Sequence, residues 1–431
     1  MRLTTMKGLG MRTYRRRVTL FAVLVMLAGC GPIPGATETA PSSEPSVESA
    51  LASVPPVSVE PSATAVASAS PLPLATPVAR SGPFQTAPFA ALSHDAVAED
   101  VAAKFQAILD DMAGKGGIAA TVMTPDGTWS GAAGTADGVD ALQPESQFGI
   151  ASGTKPIIAA QVMQLVEAGE ISLDAPATDY LPADFAFDTN GATVRQLLSH
   201  RSGISDWYGD MEQRFKTDRS RVWELDEIFA LVPPARRPVG AFEYADTNYN
   251  LLGLVIEYVR QRPLVAVLRD GVLRVEGTER LIYQPDETPT DPMAMPDGES
   301  RDALEQGGGY LPSISDTIDG AAGGMASDSI SLARWWRALC AGEIVSEESL
   351  TEMSTFYDNL EAELPVNYGL GLFNPVQRAG LEAVGHLGAN FGYKSSAGCL
   401  TDDHVIFVVL INQDLDSFGL AIPLVRAVIS D

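Results

Sequence analysis

Two β-branched runs lying far apart in the chain constrain its fold most: Gly117–Thr124, GIAATVMT, and His404–Asn412, HVIFVVLIN. Val and Ile of this density favour extended backbone, because branching at Cβ fits a pleated surface better than a helical one. A second extended run, TWSGAAG, follows the first across Pro125-Asp126-Gly127, which reads as a hairpin turn. Between the hairpin and the final strand the apolar residues recur mostly at helical spacing. The expectation is one antiparallel sheet assembled from both ends of the chain, flanked by helices and carrying an inserted helical subdomain, an α/β (α+β) architecture. Val97, Val101, Phe105, Ile108, Leu109 and Met112 predict a helix before the hairpin that ends at Gly114, and Leu420 to Ile429 predict another after the last strand.

The folded part is expected over residues 93–431. Residues 30–92 are rich in Pro, Ser, Ala and Thr, with Arg80 the only cation, and no periodicity survives the prolines. Such a stretch buries too little apolar surface to offset its ordering entropy and reads as a tether, reaching on the order of 100 Å or more. Residues 1–29 carry Arg2, Lys7, Arg12 and Arg15 to Arg17, then the apolar run Val18 to Leu27, which is too short to span a bilayer comfortably. Leu27-Ala28-Gly29-Cys30 resembles the lipobox of bacterial lipoproteins, in which the cysteine is lipidated; an ordinary cleaved signal peptide is the alternative. The expectation is an extracytoplasmic protein held at the cell membrane by lipid on Cys30.

The whole chain has a formal charge of −26. Removing residues 1–29 takes away six cations and no acids, leaving 23 Lys plus Arg against 55 Asp plus Glu, a net of −32. Such a surface repels nucleic acid and anionic headgroups, so nucleic-acid partners are excluded and membrane contact must come from the anchor. Cys340 and Cys399 have no CxxC or His-rich surroundings, so no metal or other cofactor is expected; their pairing stays open.

For chemistry, there is no G-x-S-x-G elbow, no H-E-x-x-H and no P-loop, and four histidines leave few options for a Ser-His-Asp relay. Ser152 and Lys155 in IASGTKPIIAAQ stand three apart, so on a helix they share a face. A serine hydroxyl becomes nucleophilic when a neighbour takes its proton, and a desolvated lysine can do so. Pro156 is tolerated only in a first turn, which puts the helix start at about Ser152 to Lys155 and Ser152 among free NH groups that favour a developing negative charge. On these residues alone, Ser152 as a plain helix cap is an equal alternative.

Further segments tilt the balance. FEYADTNYNLLGLVIEYV brings Tyr244-Ala245-Asp246, VGHLGANFGY brings His386-Leu387-Gly388, and VRQLLSHRSGISDW lies between the serine and tyrosine segments. AGGMASDSISLARWWRAL and YGLGL follow in order. From about residue 95 to the end, the chain resembles the serine β-lactamase and penicillin-binding superfamily, in the branch of class C β-lactamases, D-alanyl-D-alanine carboxypeptidases, D-aminopeptidases and family VIII esterases. That branch shows S-x-x-K, Y-x-N and K-T-G or H-x-G in this order. The resemblance implies Ser152 as acylated nucleophile, Lys155 as its base or relay, and Tyr244 as the second relay group. It further implies an oxyanion hole from the NH groups of Ser152 and Ala389, with Asp246, His386 and Gly388 beside the substrate. His200 and Ser202 read as buried structural groups.

Two departures matter. Asp246 stands where the family has Asn; an ionised Asp cannot donate to a substrate carbonyl, and it favours a charged Lys155, which shifts the relay toward a Tyr244 phenolate. His386 replaces the lysine of class C enzymes, as in peptidase and esterase relatives, which makes efficient β-lactam hydrolysis less expected. The polar stretch Val272 to Tyr310 matches the family poorly and is expected to shape the cleft or to be a surface excursion. The implied function is an exported serine hydrolase cleaving an amide or ester, with peptidoglycan stem peptides among the substrates. The alternative is a non-catalytic lipoprotein of the same fold that binds β-lactams or cell-wall fragments.

Overall fold

A computed structural model describes residues 77–78 and 83–429, apart from 115, 208–220, 285, 291, 297–313, 358, 360–365, 391 and 414. Cys30 lies outside the described residues, as does residue 297 onward of the polar stretch ending at Tyr310.

The hairpin forms where the sequence places it, as β1 (Gly117–Thr124) and β2 (Gly127–Gly134). Near the other end come β3 (Ala383–Asn390), β4 (Tyr393–Leu400) and β5 (Val405–Ile411). All five make one antiparallel sheet in the order β2-β1-β5-β4-β3. The join between the chain's two halves is the β1–β5 pairing, in register from Ile406 opposite Met123 to Ile411 opposite Ile118.

Both central strands are buried along their whole length, so their side chains divide between two cores by alternation. Phe407, Val409 and Ile411 join Ile118, Ala120 and Val122 against α1 (Glu99–Met112) and α5 (Ile422–Ile429), through Phe105, Leu109, Leu424 and Val425. Ile406, Val408 and Leu410 face the other way, with Ala119 and Met123, into the core of the inserted helices. Those helices include α2 (Lys155–Glu167), α3 (Asp246–Arg260) and α4 (Ser329–Cys340). Gly114, at φ +54°, stops α1 just after Met112 in the left-handed conformation that glycine adopts most freely.

The packed body starts before residue 93, which corrects the expected tether boundary. Phe84, Phe89 and Leu92 are buried in the inserted-helix core, and Pro77–Val78 pairs with the backbone of Phe356–Tyr357. Two aromatic rings among the prolines suffice to dock the strap. Cys340 and Cys399 are both buried.

Candidate active site

The serine turn is built between three elements. Ala151–Thr154 makes one turn of 3-10 helix and passes directly into α2, with Pro156 in the first turn where its missing NH costs nothing. Ile150 NH donates to Met325 O at 2.9 Å, and Met325 NH donates to Thr154 Oγ1 at 3.1 Å, fastening the turn to the short strand Met325–Ser327. On the opposite side Ser395 Oγ of β4 donates to Ile150 O at 2.8 Å. Ala151 sits at φ +49°, a conformation costing about 1 kcal/mol or more for a residue with a Cβ, and this double fastening holds it there.

Lys155, fully buried, brings the site together. Its Nζ lies 3.0 Å from Ser152 Oγ, 2.6 Å from Asp246 Oδ1 and 2.9 Å from Ala322 O. An ammonium has three N–H donors, and these acceptors share them with the Tyr244 hydroxyl. Burial works to discharge the amine, but Asp246, with Tyr244 adding to it, outweighs burial and raises Lys155 above the ordinary lysine range. The charged lysine anticipated from Asp246 is therefore what the geometry gives.

Tyr244 lies over this ion pair, its ring centroid 4.9 Å from Lys155 Nζ, and its hydroxyl interacts with Lys155 and Ser152. A standing phenolate does not follow. Burial pushes the phenol up to about 12; Lys155 opposes this and Asp246 reinforces it, so Tyr244 rests protonated at neutral pH. The ring is fixed from behind by His200, stacked on it at 4.1 Å between centroids. His200 Nδ1 faces Ala245 NH and Asn248 Nδ2, both at 3.2 Å, and accepting from that NH places its proton on Nε2. Ser202 Oγ donates to Asn248 Oδ1 at 2.6 Å, completing the support. Both residues are thus the buried hydrogen-bonding groups the sequence suggests.

Three residues expected beside the substrate are buried in this structure. Asp246 is 4% exposed and committed to Lys155. His386 is 2% exposed, with Nε2 2.9 Å from Tyr368 Oη and neighbours Phe373 and Tyr244. Burial, together with the Lys155 charge, drives it down to about 3 against a weaker opposing contact from Leu387 O, so it is neutral and shapes the site from within the wall. Gly388 is also buried; a Cβ there would stand 2.1 Å from Ile150 O, so glycine is what lets β3 press against the serine turn. Ala389, the next residue, is exposed near the end of β3.

Sequence reasoning missed Ala322 O and Asp206. Asp206 Oδ2 accepts from Asp246 NH at 3.0 Å, while Oδ1 accepts from Trp207 NH at 2.9 Å and from Thr247 Oγ1 at 3.3 Å. It therefore holds the first turn of α3 from outside. Burial first, then the Asp246 charge, lifts its carboxyl to about 7 against the two NH donors and Lys155. Its only trace in the sequence is an acid at the end of SHRSGISD, a segment too far from the other motifs to pair by eye.

The described part of the polar stretch supplies the short strand Ile282–Tyr283, paired with Met325–Ser327, and Ala294 O, which accepts from Tyr393 Oη at 2.7 Å. Among the described residues no group of His, Cys, Asp and Glu is arranged to hold a metal.

With the geometry in place, comparison with known proteins decides the family. The beta-lactamase family model matches residues 101–428. The chain belongs to the beta-lactamase family. A putative penicillin-binding protein, PbpX, of Bacillus subtilis is 26% identical over 215 residues, 49% of this chain and 51% of that protein. Esterase EstB of Burkholderia gladioli is 32% identical over 141 residues, covering 30% of this chain and 36% of the esterase. These matches span about half or less of the relatives' own lengths. D-amino acid amidase from Ochrobactrum anthropi SV3, in a crystal structure with L-phenylalanine amide, superposes with a TM-score of 0.64 at 25% identity, covering 77% of this chain and 98% of the amidase. This family member's relatives thus include hydrolases of amides and esters.

Proposed function

We propose that the protein is a serine hydrolase that cleaves an amide or ester through an acyl-enzyme on Ser152. The observation that carries this is the contact of Ser152 Oγ with a fully buried lysine, 3.0 Å away, which also bonds Asp246, a main-chain carbonyl and the Tyr244 hydroxyl. Ser152 Oγ attacks the substrate carbonyl, and the oxyanion is met by the NH groups of Ser152 and Ala389. Tyr244, protonated at rest, gives its proton to the leaving group as the serine proton replaces it through Lys155, and in deacylation a proton of the attacking water passes through the same groups to Ser152 Oγ as the acyl bond breaks. D-Ala-D-Ala stem peptides, D-amino-acid amides and small esters are the substrate classes that its relatives' names and this chemistry suggest. A tether ending in lipid at Cys30 would hold the domain at the outer face of a membrane, within reach of the cell wall.

The test is to incubate the domain with a fluorophosphonate and a fluorescent penicillin and locate the added mass. A covalent adduct on Ser152, absent from Ser152→Ala, together with turnover of activated esters, is expected. Absence of any adduct and of any ester turnover would instead make the chain a binding protein.

A further inference from the structure

The Lys155 ammonium cannot receive the serine proton while its three N–H bonds are directed to Ser152, Asp246 and Ala322. It must lose one proton first. Of its contacts the Ala322 carbonyl is no base, Tyr244 already holds its proton, and Ser152 is the group giving one up, which leaves Asp246 Oδ1 at 2.6 Å. Asp246 in turn has a second carboxyl beside it, because Asp206 Oδ2 accepts the Asp246 NH at 3.0 Å.

We propose that the proton of Ser152 comes to rest on Asp246 during acylation, and that Asp206 is the positioning residue that drives it there. This rests on Ser152 being the nucleophile. The N–H bond from Lys155 to Asp246 breaks as an O–H bond forms on Oδ1. Rotation about the Cε–Nζ bond turns the vacated Nζ pair to Ser152 Oγ, it takes the serine proton, and the freed oxygen pair forms the bond to the substrate carbonyl carbon. The carbonyl π pair moves to its oxygen. Lysine is charged before and after, its positive charge is balanced by the new oxyanion in place of Asp246, and the like-charge contact between Asp246 and Asp206 is relieved. When the intermediate collapses, the proton returns through Lys155 and Tyr244 to the leaving group.

The groups facing this pair are few. Asp206 feels Asp246 and Lys155; Lys155 also meets Tyr244 and the Tyr249 ring, and His200 and His386 sense the same ammonium while staying neutral. Asp206 is consequently the group able to titrate near neutrality and change the relay's driving force.

The experiment needs no natural substrate: measure the second-order rate of fluorophosphonate addition to Ser152 from about pH 5 to 9. The wild-type rate should climb as Asp206 ionises and then level. Asp206→Asn should abolish the climb and lie about tenfold below the wild-type plateau, the worth of one unit of proton affinity. Asp206→Glu should restore the climb, and Asp246→Asn should lack it. The proposal is overturned if Asp206→Asn keeps the climb, or if it loses rate equally at every pH without rescue by Glu while its melting temperature falls, which would make Asp206 a helix cap only. Wild-type protein that never labels on Ser152 would overturn the nucleophile assignment itself, a result distinct from labelling with a flat pH profile.

Discussion

At the residue scale, the site turns on close approaches that only certain side chains allow. Gly388 shows this best. An added Cβ would meet Ile150 O at 2.1 Å and Ser395 Oγ at 2.4 Å, and neither can retreat, since Ser395 Oγ donates to that same carbonyl. Gly388→Ala should therefore push β3 off the serine turn, costing about 1–3 kcal/mol of stability and slowing Ser152 labelling by roughly 10- to 100-fold. Unfolding in urea and the labelling rate check both, and a labelling rate within twofold of wild type would contradict the contact. The glycine of His386-Leu387-Gly388 was legible in the sequence; its reason was not. The same holds for His386, whose position in a strand is readable but whose burial depends on Tyr368 and Phe373, brought there by distant pairing. Asp246 is the informative departure: its carboxylate implies a charged lysine from the sequence alone, whereas the neutrality of Tyr244 depends on burial that no local pattern reveals.

At the scale of elements, runs with strong local periodicity were readable and short contextual ones were not. The β1–β2 hairpin, β5, α1 and the Pro156-marked start of α2 announce themselves through β-branching, apolar spacing and turn residues. The three short strands Phe148–Gly149, Ile282–Tyr283 and Met325–Ser327 have two or three residues each and exist because the serine turn needs a seat. The strap was hidden by its composition: Phe84, Phe89 and Leu92 bury themselves at the end of a proline-rich run, and Thr86 Oγ1 and Phe84 NH bond to Glu347 Oε2 and Thr351 Oγ1, both at 2.9 Å. Burying a side chain of this size is worth about 1.5–3 kcal/mol. A domain beginning at residue 93 should thus be less stable by roughly 4–9 kcal/mol than one beginning at residue 77, as read from urea midpoints. Equal midpoints would show that the strap adds nothing to the fold.

At the scale of the whole molecule, a strongly acidic protein would be expected to gain stability in mild acid as its self-repulsion falls. Its buried histidines pull the other way. His386 is driven to about 3 and His200 well below its ordinary value, mainly by burial. A base whose folded pKa is depressed contributes stability that is fully present above its unfolded value near 6.5 and is lost as pH falls, because the unfolded chain then binds more protons. Asp206, raised by burial, acts oppositely: its folded form prefers the proton, so it lowers stability as pH rises from the ordinary carboxylate range toward 7. The two histidines make the urea midpoint rise between about pH 4.5 and 6.5, while Asp206 opposes that rise together with Glu257 and Asp328, whose carboxyls burial also raises. Each uncompensated proton contributes up to about 1.4 kcal/mol per pH unit. His386→Gln, which keeps a partner for Tyr368 but cannot titrate, should flatten that rise, and Asp206→Asn should steepen it. Comparing each variant's pH slope with the wild type's cancels the diffuse surface charge common to all three proteins. If His386→Gln leaves the slope unchanged, the histidine is not held neutral, and the wall behind Tyr244 carries a charge that would disfavour the Lys155 ammonium in front of it.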